Sequence, residues 1–439
     1  MSRVLRIELR RSVAFGAVLT LLLGGAVLLY AAPQRWSAGW MALAMTQRQY
    51  LVLLWPSALA AGAWQARREH RANVAELFAS TARPPALRAL PVLGALAIAA
   101  AGGYLAAAAV AVPWIIDTAS YLPAASFAVA AVGVVSLVAA AWLGLALGRL
   151  LPSPFTAPAA AVAGMGLLLT IPALFRDREW LTMLFSPMYG MGQYTDYQTV
   201  DGRVSAAQAI WLAALAVAGG LLVAAGNRRA RLVALLPLAL GAGLGLLVIP
   251  RGADFPRNPV DPAAQELVCR PGTPRVCVSR VHEALLPEVV PLAQRALTTL
   301  AKLPDAPTSA QEDLTTYFGD PPPPPGPDIV PIPVHFGSDG HLAAGDDVLR
   351  RILNGFVGLN YSCPGGHDTP VIRAAVSWLT GREPVAEPEE PAEYHPRAVT
   401  LWQGLRRLPE AEAAARVAAV RKAAMTCADT DGLLNGGSR

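Results

Sequence analysis

In its first 250 residues the chain runs repeatedly for about twenty residues without an ionisable side chain. Such uncharged runs span residues 12–33, 91–116, 127–147, 155–174, 207–226 and 232–249. A shorter one, 50–64, reaches spanning length only if it begins near Met41. Lipid offers the backbone no hydrogen-bond partner, so segments of this kind cross a bilayer as helices. The expected fold is therefore an all-α polytopic membrane bundle of about seven transmembrane helices over residues 1–250. Residues 251–439 lack such runs and read as a separate C-terminal domain, mainly helical α+β. The first run is longer than a signal-peptide core, which favours a retained anchor.

Charge divides the chain at the same place. Residues 1–250 carry 18 arginines against 8 acidic residues, a net of +10, and residues 251–439 carry a net of −5. The arginines gather at the ends of the apolar runs and form no single patch, so nucleic acid is not an expected partner. With the N-terminus inside, the inner segments hold 13 arginines and the outer loops hold 5, namely Arg35, Arg48, Arg176, Arg178 and Arg203. That excess places the N-terminus in the cytoplasm. Seven spans then put residues 251–439 outside. All four cysteines, Cys269, Cys277, Cys363 and Cys427, lie in that part, as disulfides in an oxidising compartment would. Cys269–Cys277 with Cys363–Cys427 is the expected pairing, although four cysteines allow three arrangements. The expected location is the plasma membrane of a bacterium, the arginine-rich composition suggesting a GC-rich genome.

The loop at residues 66–90 carries Arg67, Arg68, Arg71, Arg83 and Arg88. Within it Val74, Leu77, Phe78 and Thr81 recur with the period of an amphipathic helix. Asn73 is suited to cap that helix, and Pro84 with Pro85 to stop it. A short helix with an apolar stripe and one carboxylate, Glu76, is suited to dock on a soluble partner. A helix lying among lipid headgroups would show the same pattern. The loop at 175–206, rich in Trp, Tyr and Met, suits interfacial or re-entrant helices.

In the C-terminal part, residues 267–278 read LVCRPGTPRVCV, two strand-like runs around a Pro-Gly turn. An amphipathic helix is expected at 283–303 and a strand at 328–336. Further helices are expected at 346–359, 369–380, 398–407 and 410–427, with a stiff proline run at 321–325.

The chemistry is defined largely by what is missing. No acidic residue lies inside the seven runs, whereas ion-driven transporters generally need ionisable groups there. A phosphate-binding loop needs lysine after glycine, and the only lysines, Lys302 and Lys422, follow Ala301 and Arg421. His282 and Glu283 begin like a zinc-peptidase helix, but the second histidine is absent. Asp339, His341, His367 and Asp368 have no defensible metal spacing, and Ser362 and Ser377 lack a nucleophile turn. No catalytic residue, metal or cofactor is expected, and the chain does not read as an enzyme.

The loop also resembles the cytoplasmic coupling segment of ABC transporter permeases of the type-two exporter class. The matching residues are Arg68-Glu69, Glu76, Leu77-Phe78 and Ser80-Thr81. Ala72-Asn73 stands where Gly-Thr is usual, and proline is displaced to Pro84. The architecture is similar as well, with a coupling helix between the second and third of six spans and a large loop before the sixth. The resemblance covers residues 1–226. It implies a permease that pairs with a separate ATP-binding subunit and dimerises with itself or a second permease. The coupling residues it implies are Arg68, Glu69, Arg71, Glu76, Leu77 and Phe78. The alternative is a membrane-anchored receptor or sensor whose extracytoplasmic domain binds a ligand or envelope component without transport.

Overall fold

The computed structural model describes residues 13–71, 85–192, 195–251, 259–314, 326, 328–335, 337, 339–342, 346–358, 368–387 and 390–435. The chain forms two compact units, Met1–Asp261 and Pro262–Arg439. The boundary falls about ten residues beyond the one expected from composition.

Among its described residues the regular structure of the first unit is helical, apart from an isolated bridge between Gln198 and Val260. Its helices are α1 (Val13–Ala31), α2 (Trp40–Gln49), α3 (Leu51–Arg71), α4 (Pro85–Ile115) and α5 (Ala124–Leu150). They are followed by α6 (Thr156–Leu174), α7 (Glu179–Phe185), α8 (Gly202–Ala224), α9 (Arg228–Val233) and α10 (Leu236–Val248). Six stretches among the described residues are long and apolar enough to cross a membrane: Ala14–Ala31, Leu87–Ile115, Ala124–Leu150, Thr156–Leu174, Gly202–Ala224 and Arg228–Val248. They mark the chain as a multi-pass membrane protein.

The seventh expected span is a different object. Residues 40–71 form two helices, α2 and α3, separated by a break at Tyr50. Neither is among the six. Pro56 lies inside α3 and cannot supply a backbone donor. The last turns of α3 are the charged sequence Arg67-Arg68-Glu69-His70-Arg71, so the helix outlasts its apolar part.

Helix α5 is the axis of this unit, packing against α2, α3, α4, α6 and α8. Helix α1 packs on α4, α6 on α3, and α10 on α8. Large apolar side chains such as Phe127, Leu169, Leu174, Leu240 and Leu247 remain exposed. A water-facing surface does not tolerate that much apolar area, whereas a lipid-facing one requires it. Contacts between the helices run through small residues, which allow close approach.

The second unit contains α11 (Pro262–Gln265), β1 (Leu267–Arg270), β2 (Arg275–Ser279) and a 3-10 turn (Arg280–Leu285). Next come α12 (Leu286–Leu300), β3 (Ser309–Glu312), β4 (Ile329–Ile332) and α13 (Asp346–Gly358). The last elements are α14 (Thr369–Thr380), α15 (Tyr394–Arg406) and α16 (Glu410–Met425). The sheet order is β1-β2-β3-β4. Strands β1 and β2 pair antiparallel with Cys269 opposite Cys277, forming the expected hairpin. Strands β2, β3 and β4 are parallel, in register Arg275↔Ser309 and Ser309↔Ile329. A parallel neighbour requires a crossover, and α12 lies between β2 and β3 in the chain.

Helices α12, α13 and α14 bury Val289, Leu300, Ile352, Phe356, Val371 and Leu379 against the sheet residues Val276, Val278 and Val330. Each such side chain contributes about 1.5–3 kcal/mol on full burial. Asp368 caps α14 by accepting from Val371 N at 3.3 Å, and Gly381 ends it with φ of 71°. The helix expected at 283–303 starts as the 3-10 turn, and the strand expected at 328–336 is only Ile329–Ile332. The proline run at 321–325 lies outside the described residues.

Candidate functional site

Helices α3 and α5 touch through their backbones. A Cβ on Gly62 would overlap the Ala141 carbonyl, and one on Gly144 would overlap the Leu59 carbonyl. Only glycine at both positions permits this separation. Helix α3 carries the residues expected to couple to a partner: Arg68, Glu69 and Arg71 all fall in its final turns. Arg67, just before them, stacks over Trp64 with its guanidinium carbon 5.7 Å from the ring centroid. The stacking favours the cation modestly. Glu76, Leu77 and Phe78, with the rest of the expected loop helix, lie outside the described residues. The chain is described again at α4, which opens on Pro85, a residue favoured at a helix start because its missing donor is not needed there. At 1.5 Å per residue, the 21-residue α3 is about 31 Å long. It thus carries its charged last turns and the glycine contact with α5 on one continuous rod.

A second focus lies at Arg48. The sequence reading put this residue in an outer loop. It instead sits in α2, fully buried. Its Nε and Nη2 donate to the Pro187 carbonyl at 3.0 and 2.6 Å, and Nη2 also donates to Gln208 Oε1 at 2.7 Å. Gln208 Nε2 in turn donates to the Met183 carbonyl at 2.5 Å. The guanidinium therefore joins α2, α8 and the chain after α7, through oxygens that carry no formal charge. The neighbouring Gln47 donates to the Tyr104 carbonyl of α4 at 2.6 Å. Among the described residues, Arg48 Nη1 and the Tyr104 hydroxyl are buried with no hydrogen-bond partner. A buried cation without a carboxylate is costly, and the aligned carbonyls offset part of that cost. The expected interfacial helix in the 175–206 loop corresponds to α7. Met183 and Leu184 of α7, with Met191 beyond it, are buried against Met41, Met45 and Val204.

On the other face of α2, Thr46 and Gln49 line a polar cleft of about 460 Å³ together with Gln34, Arg35, Thr195 and Asp196. Thr46 Oγ1 donates to the Arg35 carbonyl at 2.9 Å, tying the cleft wall together. The cleft presents two amides, two hydroxyls and one charge of each sign. It is suited to a small polar solute and contains no nucleophile with a base.

In the second unit His282 and His341 each engage a carboxylate. His282 belongs to the 3-10 turn and is buried, not on an open helix face. Its Nδ1 lies 2.5 Å from Glu312 Oε1 and 3.1 Å from Ser279 Oγ, while Glu312 Oε2 accepts from Ser279 N at 2.6 Å. Serine and carboxylate meet the same ring nitrogen, so no relay runs from serine through imidazole to carboxylate. The zinc-peptidase geometry is likewise excluded. His341 Nδ1 engages Glu288 Oε1 at 2.7 Å, and Asp368 pairs with Arg397 at 2.6 Å. His367 and Ser362 lie outside the described residues. Among the described residues no group of three His, Cys, Asp or Glu side chains is placed to hold a metal. Ser377 is buried in α14.

Cys269 and Cys277 form a disulfide across the hairpin. Cys427 is also disulfide-bonded, while Cys363 lies outside the described residues.

Sequence reasoning missed Arg48, Tyr104 and the His282–Glu312 pair. For Arg48 one signal was present. Gln208 is an amide within an otherwise apolar run, and a buried amide requires partners. In comparisons with family models, curated proteins and solved structures, the chain matches none.

Proposed function

We propose that the chain is the membrane-spanning subunit of an ATP-driven exporter of the type-two ABC class. It is driven by a separate ATP-binding subunit that docks on residues 66–90. The observation that carries the reading is the backbone contact of α3 with α5 at Gly62 and Gly144. A push on the segment that follows Arg71 is delivered to α3. Because α3 and α5 are not separated by side chains at the contact, the displacement passes to the helix against which α2, α4, α6 and α8 also pack. Leu77 and Phe78 enter a groove of the partner, and Arg68, Glu69, Arg71 and Glu76 make polar contacts at its rim.

Two further observations support the reading. The six membrane-crossing stretches contain no Asp or Glu, so an ion gradient has no carboxylate to act on there. With Arg48 buried in the bundle, the arginine asymmetry between the two sides increases, which favours a cytoplasmic N-terminus and loop. The working assembly is a dimer of this chain or a pair with a second permease, in a bacterial plasma membrane. With the 21-residue α3, long enough at about 31 Å to cross as well, taken as a seventh span, the residues after Asp261 face the extracytoplasmic side, where disulfides persist.

The test is affinity purification of the intact protein from mild detergent, comparing wild type with Leu77→Asp/Phe78→Asp. An ATP-binding subunit that co-purifies with wild type and is lost from the double variant is the expected result. If no such subunit appears after crosslinking, the permease reading fails. A receptor whose second unit binds a ligand would then account better for the chain.

A further inference from the structure

A groove of about 520 Å³ runs between α1, α3 and α6 in the membrane unit. Gly16 and Thr20 of α1, Ser57, Ala61 and Trp64 of α3, and Ala157 of α6 line it. Leu21 and Ala58 close its floor and are almost fully buried. From Ser57 to Trp64 the groove follows α3 for about 10 Å.

Each of its two hydroxyls donates its proton within its own helix. Thr20 Oγ1 donates to the Gly16 carbonyl at 2.9 Å, and Ser57 Oγ donates to the Leu53 carbonyl at 2.8 Å. The wall therefore offers hydrocarbon and little else. The groove has a charged end. A Cβ on Gly24 would lie 3.7 Å from Leu54, so α1 and α3 run antiparallel and the start of α1 lies level with Trp64. At that level Trp64 is 43% exposed, and Arg67 stacks on its ring. Among the described residues, no acidic side chain lines the groove. Tryptophan and arginine side by side at the end of an apolar helix are placed at headgroup depth.

We infer that the groove is a binding site for one anionic phospholipid. An acyl chain lies between α1, α3 and α6, and the phosphate sits against Arg67. The charge complementarity at one end and the apolar wall along the rest select this occupant over a polar solute. Arg67 lies within the segment 66–90 but is not among the six residues proposed to couple to the partner, and the site does not depend on that reading.

The test is native mass spectrometry of the full chain in mild detergent, supplied with phosphatidylglycerol or phosphatidylcholine of identical acyl chains. Wild type is expected to retain one phosphatidylglycerol, in preference to phosphatidylcholine by about fivefold. A Cβ on Gly16 meets nothing within 4 Å, so Gly16→Phe can enter the groove from the α1 wall. This variant, and Ala61→Leu from the opposite wall, should each lose the bound lipid. Arg67→Gln should retain lipid and lose the preference between headgroups. Equal retention by wild type and both filling variants overturns the proposal. So does a change from dimer to monomer in Gly16→Phe with lipid binding intact, which would make the groove a contact between two copies.

Discussion

Arg48 Nη2 and Gln208 Oε1 meet at 2.7 Å, in the interior of a unit built to exclude water. The two residues are 160 positions apart and belong to α2 and α8. Their bond, with those from the same guanidinium to the Pro187 carbonyl, holds the chain after α7 against the bundle. The fork geometry of arginine suits this role, because one planar group serves two acceptors.

Replacing Arg48 by leucine leaves the Pro187 carbonyl and the Gln208 oxygen buried without their donor. The expected loss of stability is about 2–4 kcal/mol, after allowing for removal of a buried charge. Arg48→Lys keeps the charge but not the fork, and should recover only part of the loss. Thermal unfolding of the detergent-solubilised protein measures both. An Arg48→Leu protein as stable as wild type would show that the network has no structural weight.

At the α3–α5 contact, Gly144→Val is expected to separate the helices. The added side chain meets the Leu59 backbone, which has no rotamer with which to yield. A destabilisation of at least about 3 kcal/mol is expected, at the upper end of the range for overpacked interiors. Gly102→Ala is the control, because a Cβ there meets nothing within 4 Å. Melting curves of the two variants should differ clearly, and coincident curves would contradict the contact.

For the hairpin, Cys269→Ser opens a bridge that spans a sequence separation of 8. Chain-entropy arguments give about 2.5 kcal/mol for closure of a loop of this size. The expected result is a lower unfolding midpoint for the second unit, with a further drop on reduction because Cys427 is disulfide-bonded as well. Hydrogen exchange of the β1 and β2 amides in the intact protein resolves this locally.

Glu312→Ala removes the acceptor shared by the His282 ring and the Ser279 amide. About 3–5 kcal/mol is expected, the usual range when one member of a buried pair is lost. Loss of protection in β3, with α1 to α10 unaffected, would be the signature. If protection is unchanged, the pair does not stabilise the sheet.

Burial pushes the Arg421 guanidinium down to about 10, with Asp305 and Asp328 opposing that shift. Its cation also lies over the Phe356 ring, 3.4 Å from the centroid. Because the folded pKa is lower than the unfolded one, the unfolded chain holds the extra proton as pH rises through 10. Stability of wild type relative to Arg421→Met therefore rises in that window and is flat well below it. The gain at pH 10 is about 0.4 kcal/mol. Paired melts of the two proteins at pH 8 and pH 10 test this, since other titrating groups cancel in the difference.

The parts of the fold legible in sequence were those with one dominant local signal. Uncharged runs gave the helices of the membrane unit, because length and apolarity together leave lipid as the only suitable surroundings. The Cys269–Cys277 hairpin was legible from its strand-like halves and Pro-Gly turn. Residues 40–71 were misread, since a buried arginine looks like a loop arginine when its distant partners are unknown. Gln208 and the Pro187 carbonyl become neighbours of Arg48 only through tertiary packing. Strand β3, Ser309–Glu312, has too little apolar character to stand out. Its membership in the sheet rests on two parallel neighbours, which no local pattern encodes. The six coupling residues were chosen by resemblance. Their backbone is described only at Arg68, Glu69 and Arg71.

The strand order of the second unit also sets a schedule for its making. Strands β1 and β2 are separated by a turn and can pair as soon as both have left the ribosome. Strand β3 must wait for α12, and β4 follows it by about another twenty residues. A nascent chain released at Thr308 would hold the hairpin and α12 without β3, with one edge of β2 bare. Early in synthesis that edge is the adhesive surface of the unit, and the arrival of residues 309–332 silences it.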